Sequence, residues 1–282
     1  MDSSRSTARR GRGLVSVVAL VLILGVAAAR AESPKQRTPT RVSSPARTTV
    51  RFLGADPIGP LAQVSRGRLA SPPKGACRRW GTKGSRWRKL DILGRVVGIV
   101  RVKAREYYHY TRCYELRMTR HEHLPGPGLY VDARAPYVPP KAERWEPDAK
   151  ALRALERIAA ARQRGIANLV PSQRVPFAKR SFFFVWSKSG TRYAVVGGVS
   201  LLVLVADRAG WRVVFERKPP RMRSSDRGHA LLSVTDMDAD GRPEIVVRHR
   251  ENGGEWYGDF TISLRPDGTW LHLEPGIFGS TA

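Results

Sequence analysis

The sequence has few acidic residues, only two cysteines and no apolar run long enough to cross a membrane. Its N-terminal apolar run, Leu14–Ala29, has sixteen residues. As a helix rising about 1.5 Å per residue it would reach about 24 Å, whereas the hydrocarbon core of a bilayer is about 30 Å thick. The sequence also lacks a G-x-S-x-G elbow, a Walker loop, an H-E-x-x-H motif and a dinucleotide fingerprint, so no motif-defined enzyme class is indicated.

The segment around this apolar run has the arrangement of an export signal. Four arginines precede the run, and Ala29-Arg30-Ala31 has the small-x-small pattern of a cleavage site. No cysteine lies near Ala31, which argues against a lipid-anchored form. We therefore predict that residues 1–31 form a signal peptide cleaved after Ala31, and that the mature chain is periplasmic or secreted. The alternative, an uncleaved membrane anchor, requires a longer span.

The scarcity of acids leaves a large positive charge. The chain has 50 Lys+Arg and 24 Asp+Glu, and removal of residues 1–31 leaves 45 basic and 23 acidic residues, a net charge of +22. Residues 66–120 carry 16 Lys/Arg against three acids, while residues 226–282 carry five Arg against ten acids. This polarised distribution predicts a basic face that attracts an anionic glycan, lipid or envelope polymer. Export argues against nucleic acid as the partner.

The two cysteines, Cys77 and Cys113, form an even pair in a chain predicted to be exported. Oxidising compartments favour disulfides, so we predict a Cys77–Cys113 bond. Closing the loop between them stabilises the fold by about 4 kcal/mol in the chain-entropy account.

Composition divides the mature chain into three parts. Residues 32–75 are rich in Ser, Thr, Pro, Gly and Arg and are predicted to be a disordered linker. Residues 76–140 are predicted to be a basic β region with the disulfide, because Leu90–Lys103 and Glu106–Met118 are β-branched and aromatic. Residues 141–282 are predicted to contain a helix followed by an antiparallel β domain.

The predicted helix covers residues 148–165, since Pro147 suits a first turn and Gly165 a C-terminal cap. Its apolar residues fall on one stripe, which makes it amphipathic. From Ser181 onward, apolar runs alternate with turn pairs at Ser189-Gly190, Gly197-Gly198, Ala209-Gly210, Asp240-Gly241, Gly253-Gly254 and Asp267-Gly268. The predicted fold is α+β, mainly an antiparallel β meander with tight hairpins and one prominent amphipathic helix.

One acidic constellation has a specific chemistry. Asp236, Asp238, Asp240 and Glu244 occupy relative positions 1, 3, 5 and 9, and Gly241 permits a sharp turn. The carbonyl of Arg242 can fill position 7. Oxygen ligands alone suit Ca²⁺, and crowded aspartates would repel one another without a cation. The alternative is a metal-free acidic hairpin turn.

The segment Leu232–Val247 resembles the calcium loop of FG-GAP/VCBS-type repeats, which occur in integrin-like β propellers. The resemblance implies strand, calcium loop and strand, with Asp236, Asp238, Asp240 and Glu244 as ligands. The family has Asp at position 9, where this chain has Glu244, and an EF-hand would need an acid at position 12, where this chain has Val247. One copy of the loop does not imply a complete propeller.

Two functional readings follow. The first is an exported, non-enzymatic β module that is stabilised by calcium and binds an anionic partner. The second is an extracellular hydrolase with structural calcium, in which His121, Glu122 or His123 is catalytic. Two imidazoles at i and i+2 on a strand can chelate zinc, but the sequence offers no third ligand. Glu106 and Glu115 are a possible acid pair whose separation the sequence does not fix.

Overall fold

The structure, a computed structural model, describes residues 49–54, 58–108, 113–119, 123–126, 128–163, 176–198, 200–218, 228–251, 256–273 and 279–280. These residues belong to one compact unit, Ser44–Ala282. The predicted signal peptide lies outside the described residues. Among the helices that are described, none has the length and apolar character needed to cross a membrane.

The strands form three sheets in which all neighbours are antiparallel. The first contains β1 (Val50–Leu53), β2 (Pro60–Ser65), β3 (Arg68–Ala70), β4 (Arg86–Leu90), β5 (Val96–Tyr108), β6 (Cys113–Met118) and β7 (Leu129–Asp132), in the order β3-β2-β1-β7-β4-β5-β6. The second contains β8 (Ala142–Arg144), β9 (Ser181–Trp186), β10 (Thr191–Val196), β11 (Leu201–Asp207) and β12 (Gly210–Arg217), in the order β12-β11-β10-β9-β8. The third contains β13 (Gly228–Thr235), β14 (Glu244–Glu251), β15 (Trp256–Leu264) and β16 (Trp270–Leu273) in sequence order, with β17 (Gly279–Ser280) beside β15. The predicted mainly antiparallel β character is confirmed.

The helices are few. α1 (Ala76–Arg79) is a single turn, and α2 (Ala149–Gln163) is the one helix of seven or more residues in the described part of the chain. The Asp148 carboxylate caps α2 by accepting a hydrogen bond from the Ala151 N–H at 2.8 Å. Leu155 and Ala159 are buried on the stripe that the sequence predicts. The amphipathic helix is therefore confirmed, although the predicted cap at Gly165 lies outside the described residues.

The alternation of side chains along the central strands sets the order of the layers. In β10, Ala194 and Val196 pack with α2, while Tyr193 and Val195 pack with residues of the third sheet. In β14, residues 245 and 247 face the second sheet, and Val246 packs against the first sheet. The layers thus follow the order α2, second sheet, third sheet, first sheet.

Two boundaries differ from the sequence prediction. The strands β1, β2 and β3 lie within the predicted linker, and Phe52 and Leu53 of β1 and Ala62 of β2 are fully buried. The prediction of disorder was wrong there, since Gly and Pro mark the turns between short strands as well as linkers.

The predicted strand Leu90–Lys103 is also broken. Residues 91–95 form a turn in which the Asp91 carboxylate accepts hydrogen bonds from the N–H groups of Leu93 and Arg95, each at 2.8 Å, and Gly94 has φ of 72°. The β5–β6 pair therefore starts later than predicted, and the strand predicted at 106–118 is divided between β5 and β6.

Candidate metal centre

The acidic segment is the turn between β13 and β14 in the third sheet. Thr235 and Glu244 are cross-strand partners, so the turn residues lie between the last pair of this hairpin. Ala239 and Gly241 have φ of 59° and 84°, in the left-handed region that closes a tight turn. Gly241 fits this conformation without strain, whereas Ala239 adopts it at a cost of about 1–2 kcal/mol.

The aspartate side chains bind amides of their own turn. The Asp236 Oδ2 accepts a hydrogen bond from the Gly241 N–H at 3.0 Å, and the Asp238 Oδ1 accepts one from the Asp240 N–H at 3.3 Å. The Asp240 Oδ1 accepts one from the Arg242 N–H at 2.7 Å. These bonds stabilise the folded conformation of the turn.

Three carboxylates meet inside this turn. One oxygen each of Asp236, Asp238 and Glu244 lie within 4.8 Å of one another. Glu244 is fully buried, and its two oxygens accept hydrogen bonds from the Met237 N–H and from the Ser263 Oγ, the latter at 2.9 Å. A carboxylate oxygen has lone pairs for more than one contact, so these hydrogen bonds leave room for a cation.

The other two predicted ligands are placed differently. The Asp240 carboxylate forms an ion pair with the Arg242 guanidinium at 2.7 Å and does not belong to the converging group. The Arg242 guanidinium therefore offsets its negative charge only in part. A ligand role for Asp240 and for the Arg242 carbonyl stays a prediction.

The three converging carboxyl groups are electrostatically unfavourable when ionised. Burial raises the pKa of Asp238 to about 6, and the charges of Asp240 and Asp236 add to this effect. Burial also raises the pKa of Asp236, and it raises the pKa of Glu244 well above its ordinary range, with the charge of Asp238 as the next cause. Because burial disfavours the charged form and like charges repel, protonation or a bound cation would stabilise the cluster.

The β9–β10 hairpin of the second sheet supplies contacts that the local motif does not reveal. The Trp186 indole N–H donates to the Gly241 carbonyl at 2.9 Å. The Lys188 ammonium packs closely against Gly241, since a Cβ added to Gly241 would lie 2.0 Å from the Lys188 Nζ. The positive charge of Lys188 lowers the pKa of Asp236. The Oδ1 of Asp236 is buried without a hydrogen-bond partner among the described residues. An oxygen-only cluster with one such unpartnered oxygen fits a hard cation.

The predicted disulfide is present on the first sheet. Cys77 of α1 and Cys113 of β6 are bonded, with a Cα–Cα distance of 5.0 Å. The bond ties the loop that contains α1 to the edge strand of the sheet. The prediction is confirmed.

The basic region places like charges side by side. Arg86 of β4 and Arg101 of β5 are directly opposite each other and both exposed, and Lys103 is exposed two residues further along β5. None of these three forms an ion pair with another described residue. We call Arg86, Arg101 and Lys103 the basic face.

The candidate residues for hydrolysis are less well placed. His121 and Glu122 lie outside the described residues, and His123 is exposed. Glu106 and Glu115 are cross-strand partners on β5 and β6, but Glu106 is exposed and pairs with Arg117 at 2.7 Å.

Comparison of the chain with protein-family models, curated proteins and solved structures gave no match.

Proposed function

We propose that the chain is an exported, non-enzymatic β module of the α+β class, stabilised by calcium, whose basic face binds an anionic polymer of the cell envelope or extracellular space. The observation that carries the binding proposal is the directly opposed pair Arg86 and Arg101. The calcium proposal rests on the converging carboxylates of Asp236, Asp238 and Glu244.

Calcium suits the acidic turn because all its donors are oxygens. Bound there, Ca²⁺ would supply charge neutralisation. Asp236 and Asp238 would hold it from the turn, and Glu244 would hold it from β14, so the ion would tie the turn to the strand that follows it. Extracellular calcium sites commonly have dissociation constants of about 10⁻⁴–10⁻³ M, which fits a structural role in an exported chain.

The basic face suits a polyanion because none of its charges is paired with an acidic group of the described residues. Like charges directly opposite each other on neighbouring strands destabilise a sheet by about 0.2–1 kcal/mol. Arg88, on the same strand as Arg86, donates instead to the carbonyls of Ala133 and Ala135 at 2.7 and 3.1 Å. A bound row of carboxylates, sulfates or phosphates would relieve the repulsion between Arg86 and Arg101 and release counterions.

The calcium part is tested by melting curves in EDTA and in 10 mM CaCl₂. With a dissociation constant in the stated range, calcium stabilises the fold by about 1.4–2.7 kcal/mol, a rise of about 3–10 °C in Tm. The rise is expected to disappear in Asp236→Ala. The matched control is Asp267→Ala, which removes an aspartate from the exposed β15–β16 turn, where Asp267 accepts a bond from the Thr269 N–H at 2.9 Å. Equal melting curves with EDTA and calcium in the unaltered chain would refute a calcium site.

The polyanion part is tested by salt elution from immobilised heparin, a linear sulfated polymer. The double variant Arg86→Ser/Arg101→Ser is expected to elute at lower salt, with the slope of log affinity against log salt reduced by about one per lost contact. The control Arg153→Ser/Arg157→Ser removes the same charge from exposed positions on α2. If both double variants elute together, net charge and not the basic face determines retention.

A further inference from the structure

A cavity of about 740 Å³ lies between the second and third sheets, away from the acidic turn and the basic face. It is framed by the start of β9, the end of β10 and the start of β13. Its size is in the range of about 300–1,000 Å³ that is typical of small-molecule sites. The proposed module function does not use it.

Two glycines make the junction between the sheets possible. Gly198 and His229 form an isolated antiparallel bridge, with N–H to carbonyl distances of 3.1 and 2.8 Å. A Cβ at Gly197 would lie 2.3 Å from the His229 carbonyl oxygen, and Gly198 has φ of 119°. The two backbones therefore approach too closely for a side chain, and the cavity opens beside this fixed contact.

One part of the cavity lining is cationic. Lys179, Arg180 and Arg248 belong to it, and no described aspartate or glutamate lines the cavity. Arg248 pairs with the buried Asp259, with an Nε–Oδ1 distance of 3.0 Å. Burial lowers the pKa of Arg180, an effect that the charge of Glu156 opposes.

Lys179 supplies the excess positive charge of the cationic part of the lining. It is exposed, and no described acidic group forms an ion pair with it. The Asp259 carboxylate offsets the charge of Arg248, and the Glu156 carboxylate acts on the charge of Arg180. Because Lys179 has no such partner among the described residues, their net charge at the cavity is positive. An anionic group is therefore favoured next to Lys179.

Another part of the lining is apolar. Ile92, Phe182, Val195 and Leu231 belong to it, and Val195 is part of the core between the second and third sheets. Phe182 and Leu231 are only partly buried, so some of their apolar surface remains accessible. An apolar ligand body would remove this surface from water, at about 25 cal/mol for each Å² buried.

The histidine of the cavity has a structural role. The Nδ1 of His229 lies 3.1 Å from the Gly198 carbonyl, which only accepts, so Nδ1 carries the proton. Its Nε2 lies 3.0 Å from the Nδ1 of His249 and, in the neutral imidazole, accepts from it. Both imidazoles are buried, and His229 is held through one ring nitrogen by Gly198 at the sheet junction and through the other by His249 of the neighbouring strand β14. This favours a binding cavity over a catalytic one.

We propose that this cavity binds an amphiphilic anion, a carboxylate or phosphate monoester with an apolar chain. The head group lies toward Lys179 and Arg180, and the chain lies against Phe182 and Leu231. Ala230, an exposed residue of the lining, stands at the opening.

The test is calorimetric titration of the full chain with dodecanoate, dodecyl phosphate and dodecyltrimethylammonium below their micelle concentrations, and with inorganic phosphate. We expect one dodecanoate or dodecyl phosphate per chain, and their relative affinities identify the preferred head group. Ala230→Phe, which fills the opening, is expected to weaken binding at least tenfold. Lys179→Glu is expected to weaken binding of the anions by about three- to tenfold. The control Lys141→Glu reverses an exposed lysine just before β8 and is expected to leave binding unchanged.

Three outcomes would overturn the proposal. The first is equally tight binding of dodecyltrimethylammonium, which would show that charge is not recognised. The second is unchanged dodecanoate affinity in Ala230→Phe with an unaltered melting temperature, which would place binding elsewhere. The third is binding of inorganic phosphate as tight as that of dodecyl phosphate, which would show that the apolar wall is not used.

Discussion

The acidic turn and the basic face are two clusters of like charge that the fold treats in opposite ways. In the turn, Asp236, Asp238 and Glu244 point inward, and the pKa of each is raised, chiefly by burial. On the basic face, Arg86 and Arg101 point to solvent. Water screens the exposed charges, so this face is stable without a ligand and available to one. The buried charges need a cation or protons within the fold itself.

The two regions also differ in how they are held together. The basic region carries the Cys77–Cys113 disulfide, which is covalent and independent of solutes. The acidic turn is held by hydrogen bonds to carboxylates and, in our proposal, by calcium. The basic region should therefore respond to a reductant, and the acidic turn to pH and to a chelator. Four predictions test this difference.

The largest expected effect is loss of the disulfide. Replacing both cysteines by serine should lower the free energy of unfolding by about 4 kcal/mol, because the unfolded chain regains the entropy of a loop with a separation of 36 residues. Urea unfolding measures the change. The calcium response of Tm should survive in this variant, and its disappearance would contradict the independence of the two regions.

In the presence of calcium, Glu244→Ala is expected to lower the free energy of unfolding by about 2–4 kcal/mol. The substitution leaves the Met237 N–H and the Ser263 hydroxyl without their acceptor and opens a cavity. Urea unfolding in 10 mM CaCl₂ measures this loss. Glu244→Gln keeps the volume and one acceptor, so it should lose less stability. If both variants match the unaltered chain, Glu244 does not organise the turn.

The metal-free chain should become less stable as pH rises from about 4 to about 7. The pKa of Asp238 is raised to about 6 in the folded state, so its protonated form favours folding, and this contribution is lost as pH rises through that value. Solvent screens this partly exposed group, so we expect a fall of about 2–4 °C in Tm, near 1 kcal/mol. Asp238→Asn should flatten the slope, as should calcium, which binds the ionised carboxylates. If neither Asp238→Asn nor calcium changes the slope, groups other than Asp238 cause the pH dependence.

The smallest expected effect is on the basic face. Arg101→Thr removes the charge opposite Arg86 and introduces a residue with high strand propensity, so stability should rise by about 0.5 kcal/mol at low salt. The gain should shrink in 0.5 M NaCl, as measured by urea unfolding, because salt screens exposed charges. A loss of stability would indicate that the arginine side chain packs on the sheet.

Local chemistry made part of this structure predictable. The disulfide followed from two cysteines, and α2 followed from its apolar stripe. The turns at Ser189-Gly190, Ala209-Gly210 and Asp267-Gly268 connect consecutive antiparallel strands as predicted, while Gly253-Gly254 lies outside the described residues. Three of the four predicted carboxylate ligands converge.

What the sequence did not reveal comes from distant parts of the chain. Trp186 and Lys188 contact the acidic turn, and Ser263 contacts Glu244, from distant parts of the chain, and no local pattern marks such contacts. Asp240 fits the spacing of the motif, but its neighbour Arg242 takes its carboxylate. The linker prediction failed at residues 50–70 because the short strands there become stable only by pairing with each other and with β7.

The burial of Glu244 has a further consequence for strand register. β14 is apolar toward both neighbouring layers at Ile245, Val246 and Val247, so a shift by one residue would exchange similar side chains between the two faces. Hydrophobic pattern alone therefore specifies its alignment weakly. Glu244 removes this ambiguity, because in one alignment only do its oxygens meet the Met237 N–H and the Ser263 hydroxyl. The same carboxylate that is proposed to hold calcium thus selects a single alignment for the central strand.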